Sequence, residues 1–295
     1  MPLDAEKLRS SIDPATALGA VHLVVRDLDR AVAFYETRLG FRVLAREPGM
    51  AWLGVDGREL LVLRESRVAA RERGTTGLYH FAVRVPFRRD LARSLARLIE
   101  TGTPLQGAAD HRVSEALYLS DPEGNGIEIY RDRPREQWAA KGGKPLMTTE
   151  ALDLAGLLAE RGADDAAWNG LANGTDLGHV HLTVSHLGKA ERFYVEGLGF
   201  DVTMRAGNSA LFVSAGGYHH HLGLNTWAGE GAPAPPEGAA GLHSFEVRLP
   251  KRAALERTVA RLEAAGFPAA RAENGFETRD PFQNVVRLTS AEDAR

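Results

Sequence analysis

One stretch of the chain, residues 111–128, carries side chains that bind metals and transfer protons. It reads His111, five residues, Leu117-Tyr118, two residues, Asp121-Pro122, one residue, Gly124, three residues and Glu128. A carboxylate binds cations, an imidazole can donate or accept a proton, and a phenol can donate one. The 295-residue chain contains no cysteine, so any bound metal must be held by histidines and carboxylates.

The spacing in this stretch resembles the signature of type I extradiol ring-cleaving dioxygenases. These enzymes belong to the vicinal oxygen chelate superfamily, together with glyoxalase I and the bleomycin-resistance proteins. One departure is Ala109, which stands two residues before the histidine where glycine or a similar residue is usual. The resemblance implies that Glu128 is a metal ligand and that His111 and Tyr118 are catalytic groups. It spans most of residues 18–290 and is greatest to two-domain, catechol 2,3-dioxygenase-like proteins of bacteria.

Internal repeats organise the rest of the chain. The segment Leu18–Val25, with the Phe-Tyr and Leu-Gly-Phe that follow it, aligns without a gap with Leu177–Val184 and its continuation. Gly77–Phe81 aligns in the same way with Gly241–Phe245. We therefore divide the chain into four modules and one connecting segment: module one (18–66), module two (77–131), the connecting segment (132–176), module three (177–227) and module four (241–290).

Each module has the pattern of a strand, a helix and then two or three strands. In module two, Leu91, Leu95, Leu98 and Ile99 recur at helical spacing, and Gly102 occupies a stop position. The family resemblance implies an α+β fold of four βαβββ modules, paired into two barrel-like domains whose curved sheets enclose a metal cavity. In the connecting segment we predict one helix with an apolar face of Leu152, Ala155, Leu158 and Ala159.

The first strand of a module carries a metal ligand at a fixed place in this superfamily, fourteen residues before the Phe of the Phe-Tyr pair. His179 occupies that position in module three, and Ala20 occupies it in module one. His22 and His181 are equivalent to each other, but both lie outside the ligand position.

Modules two and four differ in the same way. His80 aligns with Ser244, and Glu128, seven residues after Asp121, aligns with Arg287, seven residues after Asp280. His243 is one residue out of phase and faces the other side of its strand.

We therefore predict that modules two and three pair around one metal site of His80, Glu128 and His179, whereas modules one and four pair into a degenerate barrel without ligands. Two histidines and one carboxylate form the facial triad of non-haem Fe(II) oxygenases. Mn(II) or another divalent metal is the alternative, because affinity alone does not select the metal. The sequence leaves open whether the pairing lies within one chain or between chains, and whether the protein is a homo-oligomer.

Three adjacent histidines in module three form a further candidate group. In extradiol dioxygenases the corresponding strand carries a histidine pair whose second member is the catalytic acid–base, which the resemblance carries over to His220. If the strand is regular, His219 and His221 point to the opposite face. Gly223 stands where glyoxalase I has a fourth ligand, and we expect it to leave room for a substrate.

The resemblance implies an oxidoreductase that cleaves a catechol-type aromatic diol with dioxygen, in aromatic hydrocarbon catabolism. The alternatives are another metal enzyme of the superfamily, such as a glyoxalase-like isomerase or lyase, and a non-enzymatic small-molecule binding protein. Trp227, Phe212 and Phe245 fit a pocket wall and a core equally well. Residues 228–240 are rich in Pro and Gly, which favours a linker over a lid.

Composition excludes several other classes. The net charge of −3 provides no electrostatic argument for binding nucleic acid or an anionic membrane. No apolar run reaches the roughly 18 residues of a membrane span. Residues 1–13 lack the apolar core of a signal peptide, so we predict a cytoplasmic location.

Overall fold

The computed structural model describes residues 11–162 and 167–293, which contain all four modules. The first ten residues, to which most of the leader prediction refers, lie outside this part. Each of the four modules is a βαβββ unit with one α-helix. Strands and helices of modules one and two are β1 (Ala17–Val25), α1 (Leu28–Phe34), β2 (Arg42–Glu47), β3 (Met50–Val55), β4 (Arg58–Glu65), β5 (Gly77–Arg84), α2 (Arg88–Glu100), β6 (Gly107–Asp110), β7 (Ser114–Ser120) and β8 (Gly126–Asp132).

The second half repeats this order after a connection of short elements. Its elements are β9 (Ala140–Lys141), β10 (Lys144–Pro145), β11 (Glu150–Ala151), α3 (Leu154–Ala159), β12 (Asp176–Thr183), α4 (Leu187–Glu191), β13 (Asp201–Ala206), β14 (Ala210–Ser214), β15 (Leu222–Asn225), β16 (Gly241–Leu249), α5 (Arg252–Ala264), β17 (Ala269–Ala272), β18 (Gly275–Arg279) and β19 (Val285–Ser290). Short non-α helical turns lie at Tyr35–Leu39, Arg135–Gln137 and Arg192–Gly197.

The strands form two large curled sheets. One has eight strands in the order β17-β18-β19-β16-β1-β4-β3-β2, which joins modules four and one. The other has nine strands in the order β11-β6-β7-β8-β5-β12-β15-β14-β13, which joins modules two and three. Each sheet is closed at its centre by an antiparallel pair of first strands, β1 with β16 and β5 with β12. Both pairings lie within one chain.

Local sequence accounts for the helix that follows β1. Asp27 caps α1 by accepting a hydrogen bond from the backbone N–H of Arg30, which satisfies a donor that has no partner inside the helix. The helix continues as a π turn that ends at Gly40, whose φ of 85° lies in the left-handed region. An added Cβ on Gly40 would also lie 2.5 Å from the Trp168 ring.

One buried hydrogen bond is repeated in both halves of the chain. The hydroxyl of Tyr35 in module one donates to Asp121 in module two at 2.8 Å, and Tyr194 donates to Asp280 at 2.8 Å. Each aspartate also accepts bonds from the asparagine that ends its turn. These bonds connect sequence-adjacent modules that lie in different sheets, and they tie the turn before β8 and before β19 to the opposite sheet.

The connecting segment contains the expected helix, and its predicted apolar face was right in part, because Leu152 and Leu158 pack against the core. Leu157 is the fully buried side chain of α3, whereas Ala155 and Ala159 are exposed. Strand β11 adds to the edge of the nine-stranded sheet beside β6, so the segment belongs to the sheet of modules two and three. Within the described residues, no helix is both long and apolar enough to cross a membrane.

Candidate metal centre and active site

Three neighbouring strands at the centre of the nine-stranded sheet carry the predicted metal ligands. His80 lies on β5, Glu128 on β8 and His179 on β12. Ala82 of β5 is paired with Glu128 on one side and with His179 on the other. Since His80 precedes Ala82 by two residues, all three side chains point to the same concave face.

The structure brings the three ligand atoms together. His80 Nε2 lies 3.3 Å from His179 Nε2 and 3.1 Å from Glu128 Oε2, and the His179–Glu128 distance is 2.9 Å. Metal–ligand bonds of about 2.1 Å place adjacent corners of an octahedron about 3.0 Å apart. The three atoms therefore have the spacing of one octahedral face, and two imidazoles with one carboxylate are a suitable donor set for a divalent cation.

Burial and mutual contact set the ionisation of these ligands. Burial alone would raise the pKa of Glu128, but the imidazoles of His179 and His80 outweigh it and hold that pKa well below its usual range. Burial lowers the pKa of His179 to about 4, against the opposing effect of Glu128. A carboxylate and neutral imidazoles are the protonation states in which these groups bind metals.

Tyr118 and His111 lie beside the ligand cluster and contact each other. Tyr118 is the cross-strand neighbour of Glu128 on β7, and its hydroxyl lies 2.7 Å from His111 Nε2. His111 Nδ1 lies 2.6 Å from the carbonyl oxygen of Thr148, which can only accept, so Nδ1 carries a proton. Burial and the nearby Glu128 raise the pKa of Tyr118 well above 10, so the phenol stays protonated.

The three histidines of module three do not form part of a regular strand, because β15 begins only at Leu222. The prediction that they alternate along a strand was therefore wrong, although the three rings still point in different directions. The His220 ring packs against that of His179, with 4.1 Å between ring centroids and 48° between the ring planes, and it lines the cavity. His219 turns back to Asp132, and His221 Nδ1 accepts a hydrogen bond from the backbone N–H of Ala215.

The expected role of Gly223 was also wrong. Its cross-strand neighbour is His181, and a Cβ added to Gly223 would lie 2.8 Å from His181 Cγ. The space left by the glycine is occupied by this imidazole and is not open to a substrate. The His181 ring lies 5.0 Å from that of His80, and its buried Nε2 has no hydrogen-bond partner in the part of the chain that is described.

The side chain of His181 therefore lines the cavity, although the sequence analysis placed this residue outside the ligand position and gave it no role. The available signal was its place two residues after His179, which puts it on the same face of β12. Thr148 was missed as well, and a connecting segment of irregular sequence gives no periodic signal for such a contact.

Aromatic side chains extend the wall of this cavity. Trp227 and Phe212 pack against His181 with ring centroids 5.3 and 5.6 Å away, whereas Phe245 is fully buried in the core. The cavity has a volume of about 2090 Å³ and reaches the mouth of the other sheet. Residues 235–240 also line this cavity, and Ala240 packs with Val24 and Ala69 beside module one, so the linker role of residues 228–240 stays a prediction.

The equivalent positions of modules one and four hold no metal ligands. Ala20, Ser244 and Arg287 occupy them, and Arg287 donates a hydrogen bond to His22 at 3.2 Å. Burial and the positive charge of Arg287 lower the pKa of His22 to about 4. An arginine side chain and a neutral imidazole therefore occupy this half.

Paired βαβββ modules that bring two histidines and a glutamate together are the architecture of the vicinal oxygen chelate proteins. Residues 17–129 and 176–288 match the Glyoxalase/Bleomycin resistance protein/Dioxygenase superfamily, and the chain belongs to it. The sequence is 48 % identical over 281 residues to the catechol-2,3-dioxygenase of Bacillus subtilis (strain 168), covering 94 % of this chain and 98 % of that one. The structure of glyoxalase I from Zea mays has the same fold, with a TM-score of 0.58, 16 % identity and coverage of 95 % of this chain and 94 % of that one.

Proposed function

We propose that the protein is an Fe(II)-dependent extradiol dioxygenase that cleaves the ring of a catechol-type diol with dioxygen. The observation that carries the proposal is the convergence of His80, Glu128 and His179 at 2.9–3.3 Å on one concave face. Such a triad leaves the opposite side of an octahedral metal free for substrates. The high identity to a catechol-2,3-dioxygenase over nearly the whole chain supports this reaction. Mn(II) would suit the same donors.

When bound, Fe(II) would bring the diol and dioxygen together and supply the electron transfer that their reaction needs. The chain supplies the proton chemistry. His220 lies against His179, where it can take a proton from a diol hydroxyl and return it later. Tyr118 keeps its phenolic proton, and its hydroxyl can donate a hydrogen bond to a substrate oxygen when His111, carrying a proton on both nitrogens, donates to that hydroxyl.

The cavity walls orient the substrate ring. Phe212 packs against both His220 and His181, and Tyr79 packs against Trp227. Flat aromatic faces around a polar centre bind an aromatic ring and exclude water from it. A diol held this way presents its two oxygens to the histidine and tyrosine side chains.

The test is anaerobic reconstitution with Fe(II), followed by addition of catechol and air. We expect a yellow ring-opened semialdehyde that forms only with iron. His80→Ala, His179→Ala and Glu128→Ala should each lose both bound iron and product. Ser244→Ala is the matched control for His80→Ala, because Ser244 occupies the equivalent place in the half without ligands, and it should keep both.

Full iron content and an unchanged ring-cleaving rate in His179→Ala would refute the proposal. Stoichiometric metal without product from a panel of catechols would instead favour an isomerase or lyase on the same scaffold. Binding of an aromatic ligand by metal-free protein, with no turnover, would favour a sequestering protein. The cytoplasmic location stays a prediction from the sequence.

A further inference from the structure

A short chain of hydrogen bonds lies behind His220. Asp132, at the end of β8, accepts from His219 Nε2 at 2.8 Å, and His219 Nδ1 lies 2.8 Å from His220 Nδ1. The same carboxylate accepts from the hydroxyl of Tyr218 at 2.9 Å and from Arg84 at 3.1 Å. The His219 side chain is completely buried, so this chain of bonds is shielded from solvent.

The direction of each hydrogen bond follows from the carboxylate. Burial opposes ionisation of Asp132, but the bond from His219 and the charge of Arg84 hold its pKa below the usual range. An ionised carboxylate only accepts, so His219 Nε2 carries the proton. In the neutral form of His219, Nδ1 is an acceptor, so the proton between the two rings belongs to His220 Nδ1. The remaining nitrogen of His220, Nε2, is left with a free lone pair.

We propose that Asp132 and His219 are positioning residues that hold His220 in the tautomer with its proton on Nδ1, so that Nε2 is the proton acceptor in the cavity. This inference rests on the proposed function, in which His220 handles the substrate proton. A carboxylate behind a catalytic imidazole orients the ring and selects the tautomer in acyl-transfer triads. Here a second imidazole stands between the carboxylate and the catalytic ring.

Comparing the two halves of the internal repeat distinguishes this network from hydrogen bonds that only maintain the fold. His181 and His22 are equivalent, and they pair with Gly223 and Val62 on the next strand. Module three has one residue more than module one in this segment, so His219 and His220 align with Arg58 and Glu59 when counted from β4, and with Glu59 and Leu60 when counted from β3. Neither count places a histidine in the half without ligands. Ala291, four residues after Arg287, replaces Asp132.

None of the three network residues is present in that half, although the strands of the paired modules follow the same order in both sheets. By contrast, the buried tyrosine–aspartate bond is kept in both halves, as a structural element should be. The Asp132–His219–His220 network is therefore present only in the half that has the metal ligands, whereas a bond needed for the fold is present in both halves.

The experiment compares the wild type with Asp132→Asn in the full-length protein. Zn(II) replaces paramagnetic Fe(II) while the histidine tautomers are read by NMR of ¹⁵N,¹³C-histidine-labelled protein, and loss of one signal set in His220→Asn assigns His220. Asp176→Asn is the matched control, because Asp176 also pairs with Arg84, at 2.7 Å, without contacting His219. Turnover of catechol is measured separately with Fe(II).

In the wild type and in Asp176→Asn we expect the Nδ1–H tautomer of His220. In Asp132→Asn the amide can donate, which makes His219 Nε2 an acceptor and reverses both imidazoles, so the Nε2–H tautomer should appear. The kcat for catechol should then fall by about 100-fold or more, with KM changed less than about threefold. Asp132→Glu should restore part of both properties.

An unchanged His220 tautomer in Asp132→Asn would overturn the proposal, and so would an equal loss of kcat in Asp176→Asn. The tautomer is measured without turnover, so the two proposals fail separately. If the tautomer reverses as expected but the wild type cleaves no catechol, the positioning role stands and the proposed reaction does not.

Discussion

Replacing His22 with glutamine should flatten the pH dependence of unfolding between pH 6.5 and about 4. In the folded protein, burial and Arg287 lower the pKa of His22 from 6.5 to about 4, so the ring stays neutral through that window. In the unfolded chain the same ring takes up a proton as the pH falls below 6.5. The unfolded state therefore binds more protons, and stability falls with decreasing pH.

The size of the effect follows from the shift. The difference between 6.5 and about 4 corresponds to an upper bound of about 3 kcal/mol. Because the ring is only half-buried, we expect about 1–3 kcal/mol of stability to be lost across the window. A glutamine keeps an acceptor for Arg287 but does not titrate, so His22→Gln should lack this loss.

Urea unfolding at several pH values, with chelator present in all samples, measures the free energy of unfolding of both proteins. The difference between wild type and variant is the informative quantity, since other titrating groups contribute equally to both. Parallel pH profiles for the two proteins would refute the reasoning, whatever their absolute stabilities. That result would mean that His22 is charged or accessible in the folded state.

Two further predictions concern the site and the repeated buried bond. Tyr35→Phe and Tyr194→Phe should each lower the free energy of unfolding by about 1.5–3 kcal/mol, since each removes a buried hydrogen bond to a carboxylate. Urea titration measures this, and an unchanged free energy of unfolding in Tyr194→Phe would contradict the prediction. Gly223→Ala should displace the imidazole that fills the space above it and raise KM for catechol several-fold, by about 1 kcal/mol in binding, with iron content unchanged. Gly162→Ala, whose Cβ would have no neighbour within 4 Å, is the control and should have no effect on steady-state kinetics.

Gap-free alignment of the repeats predicts much of this molecule. A strand position determines which face a side chain occupies, so equivalent positions in related modules can be compared without coordinates. That comparison selected His80, Glu128 and His179, whose ligand atoms the structure brings together. It worked because the register shifts of the paired first strands fall at equivalent positions in the two sheets, next to Leu18 and His22 in one and next to Leu177 and His181 in the other.

The remaining features depend on contacts that no local pattern encodes. The space over Gly223 is filled by His181 because of the register between β12 and β15, which is a long-range property. The sequence around the three adjacent histidines predicts a regular strand, but the chain bends before β15 begins at Leu222. This bend directs His219 towards Asp132. Helix α3 packs against α2, a long-range contact that the local pattern does not encode, so the prediction omitted the fully buried Leu157.

The nested order of the two sheets has a consequence for biosynthesis. The partners in the metal-binding half, His80 and His179, are 99 residues apart, and both have been synthesised before module four begins. The other sheet needs its first and last modules, and the hydrogen bond from Ala20 to Glu246 spans 226 residues. Closing the longer separation costs more chain entropy and waits for the end of translation. The ligand-free half is therefore completed last, and a chain that stops before module four leaves β1 as an open sheet edge, which invites aggregation.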